Sequence, residues 1–175
     1  MEEGYRASVD SIAARAGVAK QTLYNHFGNK EALFSNIVRM AVQSFRVVLE
    51  TDNGDLRAQL IDFAMAYRKK VLCPAGLATF RTIVAEAARF PDLSRNFFLE
   101  GPQATLQLLA GFIEKAMTRG ELRTDDPKLA AEMLTGMLTN FDRLRALING
   151  GGEQQADTKK AERVVDCFLR AYAPT

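Results

Sequence analysis

The sequence predicts an all-α protein, and three observations carry that prediction. Apolar residues recur at helical intervals along most of the chain, residues that cap or break helices separate these stretches, and no alternating strand pattern of useful length occurs. We expect an N-terminal domain over residues 1–38, joined by a long helix to a larger all-helical domain over residues 39–175. With 175 residues, of which 47% are hydrophobic and 25% charged, the chain is long enough to bury a core.

The N-terminal segment has the spacing of a helix-turn-helix. Its first helix carries an apolar stripe made by Val9, Ile12, Ala13 and Ala16. Ser8 precedes this helix as an N-cap, and Gly17 ends it because glycine readily adopts a positive φ. A second helix is predicted from about Ala19 to His26, with Leu23 and Phe27 turned inward.

The outward face of the second helix carries hydrogen-bonding side chains suited to phosphates or base edges, namely Lys20, Gln21, Thr22, Tyr24, Asn25 and His26. Residues 11–30 include Arg15, Lys20 and Lys30 and no acid, whereas the whole chain has a net charge of only +2. The pattern predicts that this helix enters the major groove of DNA. The alternative is a surface helix hairpin with solvated charges, and His26, the only histidine, could equally pack at a helix end.

The rest of the chain is predicted to be helix after helix. The expected helices cover, in order, residues 30–50, 55–72, 77–89, 92–119, 127–148 and 155–172. Breaker residues such as Gly54 and Pro74 separate them. Pro102 lacks an amide hydrogen and predicts a bend in the fourth of these helices, which Gly120 ends. The glycines at 150–152 form a flexible link before the last helix.

The segment IAARAGVAKQTLYNHFGNKEALF resembles the N-terminal signature of the TetR family of transcriptional regulators. The matching elements run from Ile12-Ala13 through Ala16-Gly17-Val18 to Lys30-Glu31-Ala32-Leu33. The resemblance implies a recognition helix that carries Lys20, Gln21, Thr22 and Asn25. It further implies contacts to the DNA phosphates from Ser8, Tyr24, His26 and Lys30.

Two features depart from the family pattern. Ala19 stands where the family often has serine, which removes an N-cap worth about 1 kcal/mol. The family also has a further helix before the segment that matches Glu3-Gly4-Tyr5, whereas this sequence starts at Met1. We therefore expect the first helix of the DNA-binding domain to be largely missing, and full DNA affinity to depend on it.

The segments EAARFPDLSRNFFLEGPQATLQLL and TRGELRTDDPKLAAEML resemble the C-terminal domain of the AefR-like branch of these regulators. The resemblance implies a dimer that binds a palindromic operator, acts as a repressor and is released by a small-molecule effector.

The last two helices have apolar residues on more than one face, which favours a dimer interface. The residues predicted to form it are Met133, Met137, Phe141, Leu144, Val165, Phe168, Leu169 and Tyr172. The alternative is that these residues belong to the monomer core.

An effector pocket is expected in the middle helices, because family members commonly bind a small molecule there. Candidate lining residues are Phe63, Tyr67, Phe80, Arg81, Phe97, Phe98 and Phe112. Aromatic residues of this kind belong to a core more often than to a pocket, so that alternative stays open. The sequence indicates no cofactor and no metal site, since it has a single histidine and two widely separated cysteines.

Other classes of protein fit the sequence less well. An enzyme is not expected, because His26 falls in the DNA-reading segment and no glycine-rich phosphate loop is present. No leader and no apolar run of membrane-spanning length occurs, so we expect a soluble, cytoplasmic protein without membrane contact. The remaining alternative is a helical dimer that binds a ligand or a protein without effective DNA binding.

Overall fold

The computed structural model describes residues 17, 19, 21, 22, 25, 30–51, 54–149 and 158–174, and the side chains of residues 30, 31, 33, 34 and 37 are outside the description. The helices are α1 (Lys30–Glu50), α2 (Leu56–Leu72), α3 (Pro74–Glu86), α4 (Pro91–Phe98), a π-helical turn (Leu99–Gln103), α5 (Ala104–Thr118), α6 (Pro127–Ile148) and α7 (Thr158–Ala171). No strand occurs within these ranges. The protein is all-α, as the sequence predicts.

Local sequence accounts for most helix ends. The Asp55 carboxylate accepts hydrogen bonds from the backbone amides of Arg57 (2.9 Å) and Ala58 (3.3 Å), which caps α2.

The bounds predicted for the third helix were wrong, since α3 begins at Pro74 rather than at residue 77 and ends at Glu86 rather than at residue 89. Proline suits the first turn of a helix, and the Cys73 sulfur accepts a hydrogen bond from the amide of Gly76.

At Pro102, where the sequence predicts a bend, the π-helical turn interrupts the α-helical pattern between α4 and α5. Within that turn Gly101 is buried against α1, and a Cβ atom at this position would lie 2.8 Å from Cγ1 of Val38. Glycine is therefore needed for the close approach of the turn to α1. At the other end of α5, Gly120 has a φ of 75°, and its amide and that of Glu121 bond back to the carbonyls of Met117 and Ala116.

The core lies where α2 packs against α1, α6 and α7, and where α5 packs against α6. Phe63 of α2 is fully buried, lies edge-on to Phe45 of α1 and stacks on Tyr67 at a centroid distance of 5.7 Å. The other large, fully buried side chains are Leu60, Leu109, Ile113, Leu134, Leu138, Val165 and Phe168. This core holds α1, which continues from the N-terminal segment, against the other helices.

One cluster of charges lies inside this bundle. The Asp142 carboxylate of α6 accepts hydrogen bonds from Arg68 of α2 (2.8 Å) and from Lys160 of α7 (2.7 Å), and Arg145 lies 3.7 Å away. Arg68 also donates to the carbonyl of Leu138. Burial alone would raise the pKa of the Asp142 carboxyl, but the hydrogen bonds and charges of Lys160 and Arg68 hold that pKa below its ordinary value.

Candidate DNA-reading segment, effector cavity and dimer surface

Part of the predicted DNA-reading segment is described. Gly17 has a φ of 66°, as expected for the turn glycine. Gln21, Thr22 and Asn25 are helical and exposed, and Gln21 Nε2 donates to Asn25 Oδ1 at 3.1 Å, one turn further along. The other predicted DNA contacts, Ser8, Lys20, Tyr24 and His26, lie outside the described residues, as does the side chain of Lys30.

A cavity of about 250 Å³ lies between α1, α2, α3, α4, the π-helical turn and α6. Its walls are mostly apolar, and four aromatic residues line it, namely Phe45, Tyr67, Phe80 and Phe97. Val38, Ala41 and Val42 bring α1 to one wall, and Gly101 brings the π-helical turn to another. A cavity of this composition is suited to a small ligand with an apolar body.

Three of the seven residues predicted for the pocket, Tyr67, Phe80 and Phe97, line this cavity. The other four lie elsewhere in the fold. Phe63 belongs to the core, and Phe98 is 54% exposed. Phe112 lines a separate groove of about 780 Å³ beside α1, α2 and α5, whose walls carry charges of both signs. Arg81 is exposed and donates to the carbonyls of Ala146 and Leu147 at 3.0 Å, so it ties α3 to the end of α6.

The sequence prediction missed Arg143, which lines the same cavity from α6. Its guanidinium carbon lies 5.0 Å from the centroid of the Phe80 ring, and its Nη2 atom donates to Thr139 Oγ1 at 3.4 Å. The Nε atom is buried and has no hydrogen-bond partner among the described residues. No local sequence signal marks Arg143 as a cavity residue, because its contact with Phe80 joins positions 63 residues apart. The pocket was predicted from the helices before residue 120 alone, and α6 was assigned to the monomer core and the dimer interface.

The π-helical turn holds α1 at two points. Arg39 Nη2 of α1 lies 2.6 Å from Glu100 Oε1, and Gly101 lies against Val38. The hydrogen bond from Arg39 is the main reason that the pKa of the Glu100 carboxyl lies below its ordinary value. The helix that begins next to the DNA-reading segment is therefore in contact with the segment that lines the cavity.

The two faces of α6 differ as the sequence predicts. Ala130, Leu134 and Leu138 are fully buried in the core. The opposite face carries a stripe of exposed apolar side chains, which we call the α6 stripe, formed by Leu129, Met133, Met137, Phe141, Leu144 and Ile148. Four of these residues, Met133, Met137, Phe141 and Leu144, were predicted to form the dimer interface.

The residues predicted on α7 have a different place. Val165, Phe168 and Tyr172 are buried within the chain, so they are core residues and have no surface to offer a partner. Phe168 and Tyr172 stack at a centroid distance of 4.7 Å, and the Tyr172 hydroxyl donates to the sulfur of Met133 at 3.6 Å. Leu169 is partly buried against the same core. Their apolar pattern belongs to the face of α7 that packs on α2 and α6.

Comparison with known sequences identifies the family. The family model of the AefR-like transcriptional repressor C-terminal domain matches residues 58–174, and that of the bacterial regulatory proteins of the tetR family matches residues 1–37. The chain belongs to the TetR family. It is a transcriptional regulator with a helix-turn-helix segment, and TetR-family regulators bind DNA and usually act as dimers. They are generally not enzymes.

Individual relatives agree with this assignment. The flavonoid-responsive regulator FrrA is 34% identical, with 94% of this chain and 86% of that one covered at a TM-score of 0.68. A structure from Mesorhizobium loti assigned to the TetR family is 28% identical, with the same coverage and a TM-score of 0.73. The fatty acid metabolism regulator protein of Bacillus subtilis is 27% identical over 140 residues, which are 78% of this chain and 72% of that protein. None of the helices described above is long and apolar enough to cross a membrane.

Proposed function

We propose that this TetR-family chain is a dimeric repressor that binds a palindromic operator and is released by a small-molecule effector. In this proposal residues 1–38 read the DNA, and residues 39–175 bind the effector and form the dimer. The observation that carries the proposal is the course of α1. This helix begins next to the DNA-reading segment, lines the cavity through Val38, Ala41 and Val42, and contacts the π-helical turn through Arg39.

The proposed base contacts come from Lys20, Gln21 and Asn25, and the proposed phosphate contacts from Ser8, Tyr24, His26 and Lys30, with Thr22 on the same helix. The support for this assignment is the exposure of Gln21, Thr22 and Asn25. The hydrogen bond between Gln21 and Asn25 orients the two amides before DNA arrives. Amide side chains can form paired hydrogen bonds with adenine in the major groove.

Dimerisation is proposed to occur through the α6 stripe. A contiguous row of exposed apolar side chains is costly to leave in water, and a two-fold axis would let each copy cover the other. The support is the exposure of Met133, Met137, Phe141 and Leu144, of which Phe141 is 69% exposed. Two recognition helices held at a fixed distance would then contact successive major grooves.

Release is proposed to follow from a change in the position of α1. A ligand that fills the cavity would press on α1 and on the π-helical turn together, because both line it. Gly101 packs closely against Val38, so we expect a shift of the turn to be transmitted to α1. The FrrA relative is described as flavonoid-responsive, which supports a small molecule as the signal.

DNA binding is tested by fluorescence anisotropy with duplexes that cover the DNA flanking the protein's own gene, beside a scrambled duplex, at several salt concentrations. We expect Asn25→Ala to lose about 1–3 kcal/mol of binding free energy on the specific duplex alone. Lys30→Ala should weaken binding to both duplexes and reduce the salt slope by about one. Gln43→Ala, an exposed change on α1, is the control. A dimer without salt-dependent DNA binding would contradict the proposal.

The dimer surface is tested by sedimentation of Phe141→Glu, which places a charge in the middle of the α6 stripe. We expect this variant to be a folded monomer at concentrations where the unmodified chain is a dimer. Phe98→Glu is the matched control, because Phe98 is 54% exposed and lies on α4, outside the stripe. A dimer that persists in Phe141→Glu would mean that another surface joins the two copies.

A further inference from the structure

The charged residues described in the cavity lining are all positive. Lys70 and Arg143 are the charged residues among its described lining, which includes no aspartate or glutamate. Lys70 is exposed, whereas Arg143 is partly buried and forms no ion pair with a described residue. An apolar cavity lined by uncompensated positive charge favours a negatively charged occupant.

Arg143 also has hydrogen-bonding capacity that the described residues do not use. Its Nε atom is buried without a partner, and its contact with Thr139 Oγ1 is long, at 3.4 Å. The Phe80 ring compensates part of the positive charge but accepts no conventional hydrogen bond. Buried donors without partners are costly, and a guanidinium presents its donors in a planar fork that suits a carboxylate. A ligand carboxylate in the cavity would give the guanidinium group the strong acceptor that its described partners do not provide.

The remaining walls restrict the body of the ligand. Phe45, Tyr67, Phe80 and Phe97 provide aromatic surfaces, and Val38, Val42 and Val71 provide aliphatic ones. The volume of about 250 Å³ is just below the usual range for ligand sites, roughly 300–1,000 Å³. The occupant must therefore be small, and most of its surface must be apolar.

We propose that the effector is a small amphipathic acid whose anionic oxygen group binds Arg143 and whose apolar body lies against Phe80 and Phe97. Lys70 adds long-range attraction for the same charge. This proposal rests on the proposed function, because it takes the cavity to be the effector site. Arg143 is then the residue that separates acids from neutral molecules of the same shape.

The test is isothermal titration of the full chain, without DNA, with two matched pairs of probes: cinnamate and cinnamyl alcohol, and octanoate and 1-octanol. We expect each acid to bind more tightly than the alcohol of the same shape. The relative affinities of cinnamate and octanoate then show whether the cavity prefers an aromatic or an aliphatic body. Arg143→Gln should weaken binding of the acid at least about thirtyfold, which corresponds to about 2 kcal/mol. Arg143→Lys should retain part of the affinity, because it keeps the charge and loses the fork.

Arg95→Gln is the matched control, since Arg95 is exposed on α4 and does not line the cavity. Equal affinity for acid and alcohol, undiminished acid binding in Arg143→Gln, or no binding of either acid would each overturn the proposal. Because these titrations contain no DNA, their outcome is independent of operator release. An acid that binds through Arg143 but leaves operator affinity unchanged would contradict the release mechanism and leave the ligand class standing.

Discussion

Two neighbouring residues of α6, Asp142 and Arg143, belong to two interior regions that differ in how charge is balanced. Asp142 lies in the bundle core, 4% exposed, with Arg68 and Lys160 bound to its carboxylate. Arg143 lines the cavity, and the described residues of that lining include no aspartate or glutamate. The Nε atoms of Arg68 and Arg143 are both buried without partners, so the difference lies in the charge that each guanidinium faces.

The difference separates a charge that holds the fold together from one that is available to a ligand. Arg68 bonds across helices to Asp142 and to the carbonyl of Leu138, so its removal would leave buried partners unsatisfied. The described contacts of Arg143 are the Phe80 ring and the Thr139 hydroxyl. A buried charge with weak partners lowers the stability of the fold. Such a charge can contribute to ligand binding, because a bound molecule of opposite charge compensates it.

The largest effect is expected for Asp142→Ala. Loss of the carboxylate leaves Arg68 and Lys160 without their common partner, and we expect the free energy of unfolding to fall by about 3–5 kcal/mol. Urea unfolding followed by circular dichroism measures this change. Asp166→Ala is the control, because Asp166 pairs with Arg57 at 2.6 Å on the surface, and its loss should have a much smaller effect. Equal effects of the two variants would refute the contrast between core and surface.

The contrast between Arg68 and Arg143 is tested by replacing each of them with glutamine. Arg68→Gln should lower the free energy of unfolding by about 2 kcal/mol, because it removes charged hydrogen bonds to Asp142 and Leu138. Arg143→Gln should change it by less than about 1 kcal/mol, since no ion pair is lost. The same urea titrations compare the two variants directly. A larger loss in Arg143→Gln than in Arg68→Gln would mean that Arg143 is a structural residue.

A smaller effect, confined to acid pH, is expected from the titration of Asp142. Its folded-state pKa lies below the ordinary value, so its contribution to stability is complete above the unfolded value near pH 4 and is lost as the pH falls through the folded value. The positive charges facing it are those of Arg68, Lys160 and Arg145. The stability difference between the unmodified chain and Asp142→Asn should therefore shrink below about pH 4. A difference that grows on acidification would show that the folded pKa is raised.

The sequence predicts the helices well, because their signals are local. The break at Gly54, the interruption of the helix at Pro102 and the turn at Gly120 each follow from the chemistry of one or two residues. The division of α6 into a buried and an exposed face is confirmed for the same reason, since helical periodicity alone determines it.

The cavity could not be predicted as well, because its walls come from segments far apart in the chain. The aromatic residues of the middle helices look alike in the sequence, yet Phe63 is core, Phe98 is exposed and Phe80 lines the cavity. Only the packing of α1, α3 and α6 around the same space separates them. Arg143 was missed for this reason, as its role depends on Phe80, which is 63 residues earlier in the sequence.

The most direct test of the account is the reciprocal coupling between the acid and the operator. Operator affinity is measured with and without cinnamate or octanoate, and acid affinity with and without operator, for the unmodified chain and for Arg143→Gln. We expect the acid and the operator to weaken each other's binding by the same factor. An acid concentration that releases the unmodified chain from the operator should not change the operator affinity of Arg143→Gln. An acid that binds through Arg143 and leaves operator affinity unchanged would contradict the account.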